Sequence, residues 1–457
     1  MAYVAISTLE KDTTKADINK RYVFLVCTIT ALGGVMFGFD LVTISGAIRF
    51  VGNHFQLSDY EKGWAVGCIN LGCIIGSLLA GKLSDSWGRK KLLIFCAVLF
   101  AVTGVGTGLS VNFNMFVAVR ILSGIAVGAA ALVCPMYTAE ISPADLRGRM
   151  VSFYQLAITV GILLAYLSNY LLLNTGTNNW RWMFTAQSVP ALFFFAGLLL
   201  VAESPRWLIR KHRMEEATKI LTKIGGENYA ERQVAFISNS FSQELKERFT
   251  DILKKEVGPI IGIGLVIAIF SQAVGQNSLF SYAPEIFRQT GMGEETAFIQ
   301  SFIVGIINFI FTFIAISSID KAGRRTLLQV GSLLLFADAL LLAAAFYFQW
   351  GGVWTLVFVL GFIAVYSSTV GPVTWVALSE IFPNRIRGNA MSTATVALWL
   401  TNFFTTAAFP VLKGKVGLPG TFIIHGAICF IYFLFIQKKI PETKGKSLEE
   451  IERMLAN

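Results

Sequence analysis

The sequence predicts an all-α polytopic membrane protein: twelve transmembrane helices in two six-helix bundles. Three observations lead there. Only 14% of the 457 residues are charged, where an ordinary soluble domain carries roughly a quarter. By contrast 54% are apolar, about 247 residues, enough for close to twelve spans of ~20 each. Finally, the polar residues gather in short loops and one long central stretch, with spanning apolar runs between them. A chain of about three soluble domains of ~150 residues is therefore excluded.

Taken in order, residues 1–21 form a polar tail (Lys11, Asp12, Lys15, Asp17, Lys20, Arg21) without the basic-apolar-small pattern of a signal peptide, so the first span is expected to act as the insertion signal. Apolar runs of spanning length follow at 22–46, 63–82, 92–110, 113–136, 151–173 and 182–202, then at 259–283, 296–318, 326–346, 353–378, 390–412 and 420–437. The stretch 203–258 is polar, with helix-like composition around Met214 to Ile224 and Ser242 to Lys254, and reads as a cytoplasmic linker. The expected division is a tail (1–21), a bundle (22–202), the linker (203–258), a second bundle (259–437) and a tail (438–457).

The net charge of +10 is spread unevenly. Of the 38 Lys and Arg residues, 31 fall on the face that holds both termini and the central loop. Six (Arg49, Lys62, Arg181, Arg288, Lys413, Lys415) fall on the opposite face, and Arg120 lies within a span. The positive-inside bias then puts both termini in the cytoplasm, in a plasma or inner membrane. The six cysteines (Cys27, Cys68, Cys73, Cys96, Cys134, Cys429) form no C-x-x-C pair and sit in apolar stretches, so they read as small core residues rather than a zinc site or disulfide framework.

The chain also repeats itself. Glu140-Ile141-Ser142-Pro143 followed by Leu146-Arg147-Gly148 returns 240 residues later as Glu380-Ile381-Phe382-Pro383 followed by Ile386-Arg387-Gly388. At an offset of 235, Asp85-Ser86-Trp87-Gly88-Arg89-Lys90 is echoed by Asp320-Lys321-Ala322-Gly323-Arg324-Arg325, and Glu203 after span six is echoed by Glu442 after span twelve. Two parallel repeats bring their bundles together about an axis along the membrane normal, with a substrate site near the midplane. Loop-forming basic clusters set by topology alone would account for Arg and Lys, but less well for the matched Glu, Pro and Gly.

With these motifs in view, the chain resembles a known family. Gly81-Lys82-Leu83-Ser84-Asp85-Ser86-Trp87-Gly88-Arg89-Lys90 is similar to the G-x-x-x-D-x-x-G-R-[KR] signature of the major facilitator superfamily. Glu203-Ser204-Pro205-Arg206-Trp207-Leu208, Arg147-Gly148-Arg149, Gly371-Pro372-Val373-Thr374-Trp375 and Pro441-Glu442-Thr443-Lys444-Gly445 resemble the sugar porters, which include the facilitative glucose transporters and a bacterial xylose/proton symporter. The resemblance implies the major facilitator fold and monosaccharide import by alternating access.

A charge at mid-membrane costs roughly 2.5–3.5 kcal/mol on insertion scales, so each needs a partner or a purpose. Asp40 in span one and Arg120 in span four enter from opposite sides and reach similar depth, and Arg120 has no basic counterpart at the 240 offset, where Leu360 stands. We read Asp40 as a proton carrier and Arg120 as its charge partner: repacking between two states changes desolvation and attraction together, so a proton is loaded in one and released in the other. The resemblance adds that proton-coupled members typically carry Asp at this position. A static buried ion pair is the alternative. Asp338 in span nine has no partner visible in the sequence.

A neutral sugar needs groups that both donate and accept, beside an aromatic face for its C–H surface. Gln155, Gln272, Gln276, Asn277, Asn308 and Trp375 supply both within spans, Gln272 and Gln276 being spaced to share a helix face. The resemblance implies substrate contact at Gln155, Gln272, Asn277, Asn308 and Trp375 and aromatic gating at Tyr282 and Trp399, with Phe37 and Asn402 counted beside them as gating or packing residues. Departures from the family pattern are Ser271 where a second glutamine is common, Leu398 before Trp399, and Gln276 where Ile is usual. They leave the choice of hexose or pentose open.

Asp85, Arg89, Glu140, Arg147, Arg149 and Glu203 in the first half, and Asp320, Arg324, Glu380, Arg387 and Glu442 in the second, are expected to form a cytoplasmic salt-bridge latch. The resemblance implies bridges between bundles that close this side while the site faces out. Glycine pairs four apart (Gly34 and Gly38, Gly72 and Gly76, Gly104 and Gly108, Gly124 and Gly128) allow close helix approach, and Pro135, Pro284 and Pro372 are expected to bend or break spans four, seven and ten. His54, His212 and His425 form no H-x-x-x-H or comparable cluster, so neither an enzyme, a metal nor a cofactor is expected. The expected partners are a sugar, a proton and the lipid bilayer, with no nucleic acid, and the chain is expected to work as a monomer. Facilitated uniport, or proton-coupled transport of a polyol such as inositol, is the alternative function.

Overall fold

The computed structural model describes residues 18–242, 258–291, 293–382 and 386–442, except for the side chains of 241, 242, 316–321 and 387. The expected helix at Ser242 to Lys254 falls almost wholly outside the described residues, as do most of both tails and Thr443-Lys444-Gly445. Among the described residues the regular structure is helical throughout. The first half comprises α1 (Lys20–His54), α2 (Asp59–Trp87), α3 (Arg89–Gly108), α4 (Phe113–Ile141), α5 (Ala144–Leu172), α6 (Asn179–Ala186) and α7 (Ser188–Leu200). Short helices α8 (Pro205–Arg210), α9 (Met214–Gly225) and α10 (Glu227–Ser242) follow. The second half holds α11 (Gly258–Ala273), α12 (Gln276–Arg288), α13 (Glu294–Ala322), α14 (Arg324–Tyr347), α15 (Gly352–Ser368), α16 (Val370–Ile381) and α17 (Arg387–Lys439).

Local chemistry sets many of the ends. Asn19 accepts from the Tyr22 N–H at 3.1 Å, Ser58 and Glu61 form a reciprocal capping box, and Asn112 accepts from the Met115 N–H at 2.8 Å. Several helices outrun their apolar runs: α5 begins at Ala144 behind Pro143 and carries Arg147 and Arg149 on its first turns. Among the described residues eleven helical stretches are long and apolar enough to span a bilayer, and the last, Gly388–Lys439, has 52 residues. At 1.5 Å per residue it would measure about 78 Å, more than twice the ~30 Å hydrocarbon core. Gly417 (φ 70°, ψ 175°) interrupts it, so it crosses twice and the total among the described residues is twelve.

Within the first half α1 lies along α5 and α2 along α4. Glycine makes this approach possible: a Cβ at Gly34 would come within 2.7 Å of the Tyr154 carbonyl oxygen, and one at Gly124 within 3.0 Å of the Gly72 Cα. The four-residue glycine pairs thus serve packing inside a bundle. Between halves α5 packs on α13, α2 on the first crossing of α17, and α1 on α12. Outward, the helices present large apolar side chains such as Leu78, Phe193, Phe313, Val353 and Phe404, the surface expected of a protein bathed in lipid.

Candidate transport site

Asp40 on α1 and Arg120 on α4 meet, Arg120 Nη1 donating to Asp40 Oδ1 at 2.9 Å, with both side chains 1% exposed. The guanidinium carbon also lies 5.4 Å from the centre of the Phe184 ring. Arg120 Nε is buried without a hydrogen-bond partner among the described residues. The pair is under-supported for a static bridge, since a buried ion pair offsets its desolvation only when its remaining donors are satisfied. Asp338 on α14 lies against Gly361 and has a buried Oδ2 without a partner among the described residues.

The amides gather around a broken span seven. Gly275 takes the left-handed conformation (φ 95°) and starts α12, so Gln272 ends up near the close of α11 and Gln276 and Asn277 at the start of α12. The expected common helix face of Gln272 and Gln276 does not exist, because the break lies between them. Instead Asn277 Nδ2 donates to Gln272 Oε1 across the break at 2.7 Å. Of the three prolines, Pro284 lies inside α12 and Pro135 inside α4, while Pro372 follows the break in span ten, at Thr369 (φ −129°, ψ −87°). Asn308 on α13 accepts from the Ser367 hydroxyl at 2.7 Å and leaves Nδ2 unpaired among the described residues. Both polar atoms of Gln276, Trp399 Nε1 and Asn402 Oδ1 are likewise buried without partners there. Gln155 on α5 is half-buried, and Trp375 on α16 is 40% exposed.

Aromatic and polar contacts join the halves from mid-span to the end remote from the basic loops. Phe37 meets Trp399 edge to face at 5.5 Å, and Asn402 Nδ2 donates to Asn70 Oδ1 at 2.9 Å. Tyr166 donates to the Phe280 carbonyl at 2.9 Å, Tyr170 to Glu295 at 3.2 Å, and Arg49 pairs with Glu294 at 2.6 Å. Within the second half, Tyr282 donates to the Thr406 carbonyl at 3.1 Å and stacks on Phe409.

The basic-loop clusters are built alike in both halves. Arg89 forms a two-pronged bridge to Glu140 (3.0 and 2.9 Å) and reaches Asp85 at 3.2 Å, while the Ser204 hydroxyl donates to Glu140. Glu203 accepts from the backbone N–H groups of Arg89, Lys90 and Ser204 at 2.9, 3.1 and 2.8 Å. It thereby caps α3, whose preceding residue Gly88 (φ 98°) has no side chain to do so. In the second half Arg324 bridges Glu380 at 3.0 Å, its backbone N–H reaches Glu442 at 2.9 Å, and Gly323 has φ 88°. These bonds close within each half, whereas bridges between bundles were expected. Arg147 and Arg149 are exposed. The side chains of Asp320 and Arg387 lie outside the described residues.

Sequence reasoning passed over Asn70, Tyr366 and Ser367, although each is a polar residue inside an apolar run. Tyr366 donates to the Ser271 carbonyl at 3.2 Å, beside the break in span seven. Their partners lie on other helices, and only the fold pairs them.

The family described as Sugar (and other) transporter matches residues 26–455. The D-xylose-proton symporter of Escherichia coli is 39% identical over 474 aligned positions, covering 95% of this chain and 96% of its own. The arabinose-proton symporter of Bacillus subtilis is 37% identical over 440, covering 95% of each. Among solved structures, the inward-open conformation of the xylose transporter XylE from E. coli superposes with a TM-score of 0.85 at 37% identity, covering 95% of this chain and all of that one. Twelve apolar crossings, two halves with matching charge clusters and this likeness along nearly the whole length lead to one conclusion: the chain is a multi-pass membrane protein of the sugar transporter family, within the major facilitator superfamily.

Proposed function

We propose that this protein imports a monosaccharide, hexose or pentose, by proton symport through alternating access. The observation that carries the proposal is the Asp40–Arg120 pair, fully buried at membrane depth with one guanidinium nitrogen unpaired among the described residues. A carboxylate bonded to an arginine changes its proton affinity when that bond is made or broken. Gln155, Gln272, Gln276, Asn277, Asn308 and Trp375 are the proposed sugar contacts, with Phe37, Tyr282, Trp399 and Asn402 packing and gating. The unpaired amide and indole atoms support this, since hydroxyls that donate and accept would satisfy them. The proton-coupled pentose transport in the names of the relatives supports it as well. We place the basic loops, the linker 203–258 and both termini in the cytoplasm, on the bias of Lys and Arg. The contacts remote from the basic loops then hold the outer side shut.

The test is accumulation of labelled monosaccharides in proteoliposomes with and without an inward proton gradient. At one proton per sugar, each pH unit of gradient supports up to about tenfold accumulation. Asp40→Asn is expected to abolish accumulation while sparing sugar exchange. Rapid uptake that stops at equal concentrations in the wild type would make the protein a uniporter and Asp40 structural. Absence of uptake for every monosaccharide would move the substrate to polyols.

A further inference from the structure

The break in span seven leaves a carbonyl without its helical donor. Ala273 is the last residue of α11, and in an unbroken helix its oxygen would accept from the N–H of Asn277. The Val274 N–H still makes the ordinary helical bond to the Phe270 oxygen, but the Gly275 N–H reaches back only three residues, to the Gln272 oxygen, and Asn277 already belongs to the first turn of α12. What reaches Ala273 is His425, from the second crossing of α17: its Nδ1 lies 3.2 Å from the Ala273 oxygen. A carbonyl only accepts, so the bond requires the proton on Nδ1. His425 is 5% exposed, and its ring lies flat against the backbone at Gly275, where a Cβ would come within 2.6–3.0 Å of three ring atoms. In the turn before the break, α11 is tied to the same crossing of α17 by the stack of Phe270 on Tyr432, at 5.3 Å and 6°.

We infer that His425 is a positioning residue for transport: by holding the Ala273 carbonyl and seating Gly275, it fixes where span seven breaks and so how α12 presents its amides. A shift of the break by one residue would turn the start of α12 by about 100°. Gln276 and Asn277, the first two residues of α12, would swing off the interface, and the Asn277–Gln272 bond across the break would be lost. This inference rests on the sugar-site reading above. It adds a residue with no direct contact to the sugar.

The experiment compares wild type, His425→Ala and His425→Asn, whose side-chain N–H falls where Nδ1–H does. Transport of D-xylose and D-glucose in proteoliposomes gives KM and maximal rate, and hydrogen exchange of segment 270–279 reads the break directly. Losing one buried hydrogen bond corresponds to roughly three- to tenfold in an equilibrium constant. His425→Ala is expected to raise KM by about that factor and speed exchange at 273–277, with the maximal rate kept within about twofold. His425→Asn is expected to recover both. An unchanged KM and unchanged exchange in His425→Ala overturn the inference, as does an asparagine variant as impaired as alanine. If the wild type moves neither sugar, the kinetic comparison passes to the other monosaccharides and the proposed function falls only when none is moved, while the exchange comparison still decides whether His425 holds the break.

Discussion

Gly63, near the start of α2, is the tightest point, on which a single atom can act, of the closure remote from the basic loops. A Cβ there would come within 2.9 Å of the Ala407 carbonyl carbon and 3.2 Å of its Cα, with the carbonyl oxygen nearer still. Ordinary contact begins at 3.4 Å, so Gly63→Ala must drive α17 back by at least about half an ångström, and the oxygen by more. The Asn70–Asn402 bond of 2.9 Å lies in the same interface and would be stretched with it. Overpacking of this kind costs about 1–3 kcal/mol and the hydrogen bond about 1 kcal/mol, so the closed state should lose about 2–4 kcal/mol, roughly 30- to 700-fold in its ratio to the state open on that side. Gly81, on the same helix with nothing within 4 Å of its would-be Cβ, is the control. The assay is labelling of Ser45→Cys by an impermeant maleimide from the side remote from the basic loops. Ser45 is buried and lines a cavity between the halves with Arg49, Pro284 and Glu294, and all six native cysteines are buried and free. Gly63→Ala should label fast and transport slowly. Labelling and transport equal to those of Gly81→Ala would refute the reasoning.

The Arg49–Glu294 pair also joins the halves on that side, but its side chains are 40% and 36% exposed. A pair of this kind contributes about 0.2–1 kcal/mol, so Arg49→Ala should raise Ser45→Cys labelling by no more than about fivefold, and salt near ~1 M should erase the difference. Glu203 gives a pH dependence. Burial pushes its carboxyl above the usual glutamate range, against the backbone N–H bonds of Ser204, Lys90 and Arg89 that lower it. Its contribution is therefore complete below the ordinary glutamate value and is lost as pH rises through the raised one. The Tm of the wild type relative to Glu203→Gln should fall as pH rises from below the ordinary glutamate value to above it; a rise in that direction would contradict the assignment.

Much of this was legible because a membrane punishes exceptions. Twelve apolar runs are hard to mistake when lipid forbids anything but a helix. Asp40 and Arg120 could be paired from sequence because each is an isolated charge at similar depth in an apolar run. The helix ends were less legible, since helices such as α5 continue into water where hydropathy no longer reports on them. The common face expected of Gln272 and Gln276 failed for a local reason: Gly275 at φ 95° interrupts the helix period that the spacing assumes. The charge clusters were legible as residues but not as partners, because a motif repeated in both halves can bridge between them or close within each, and Arg89 and Arg324 do the latter. His425 read as a lone histidine without a cluster. Its role depends on a main-chain carbonyl, which every residue has and no side-chain pattern reveals.

The caps at Gly88 and Gly323 bear on the order in which the protein is made. The carboxylate that completes α3 comes from Glu203, just beyond the sixth span, and the one that completes the corresponding α14 comes from Glu442, just beyond the twelfth. On the ribosome, each third span therefore enters the membrane with its leading N–H groups uncapped, and the finishing carboxylate follows only after three more spans. Because each half carries its own closing residue, the first can be clasped shut before any of the second has been translated.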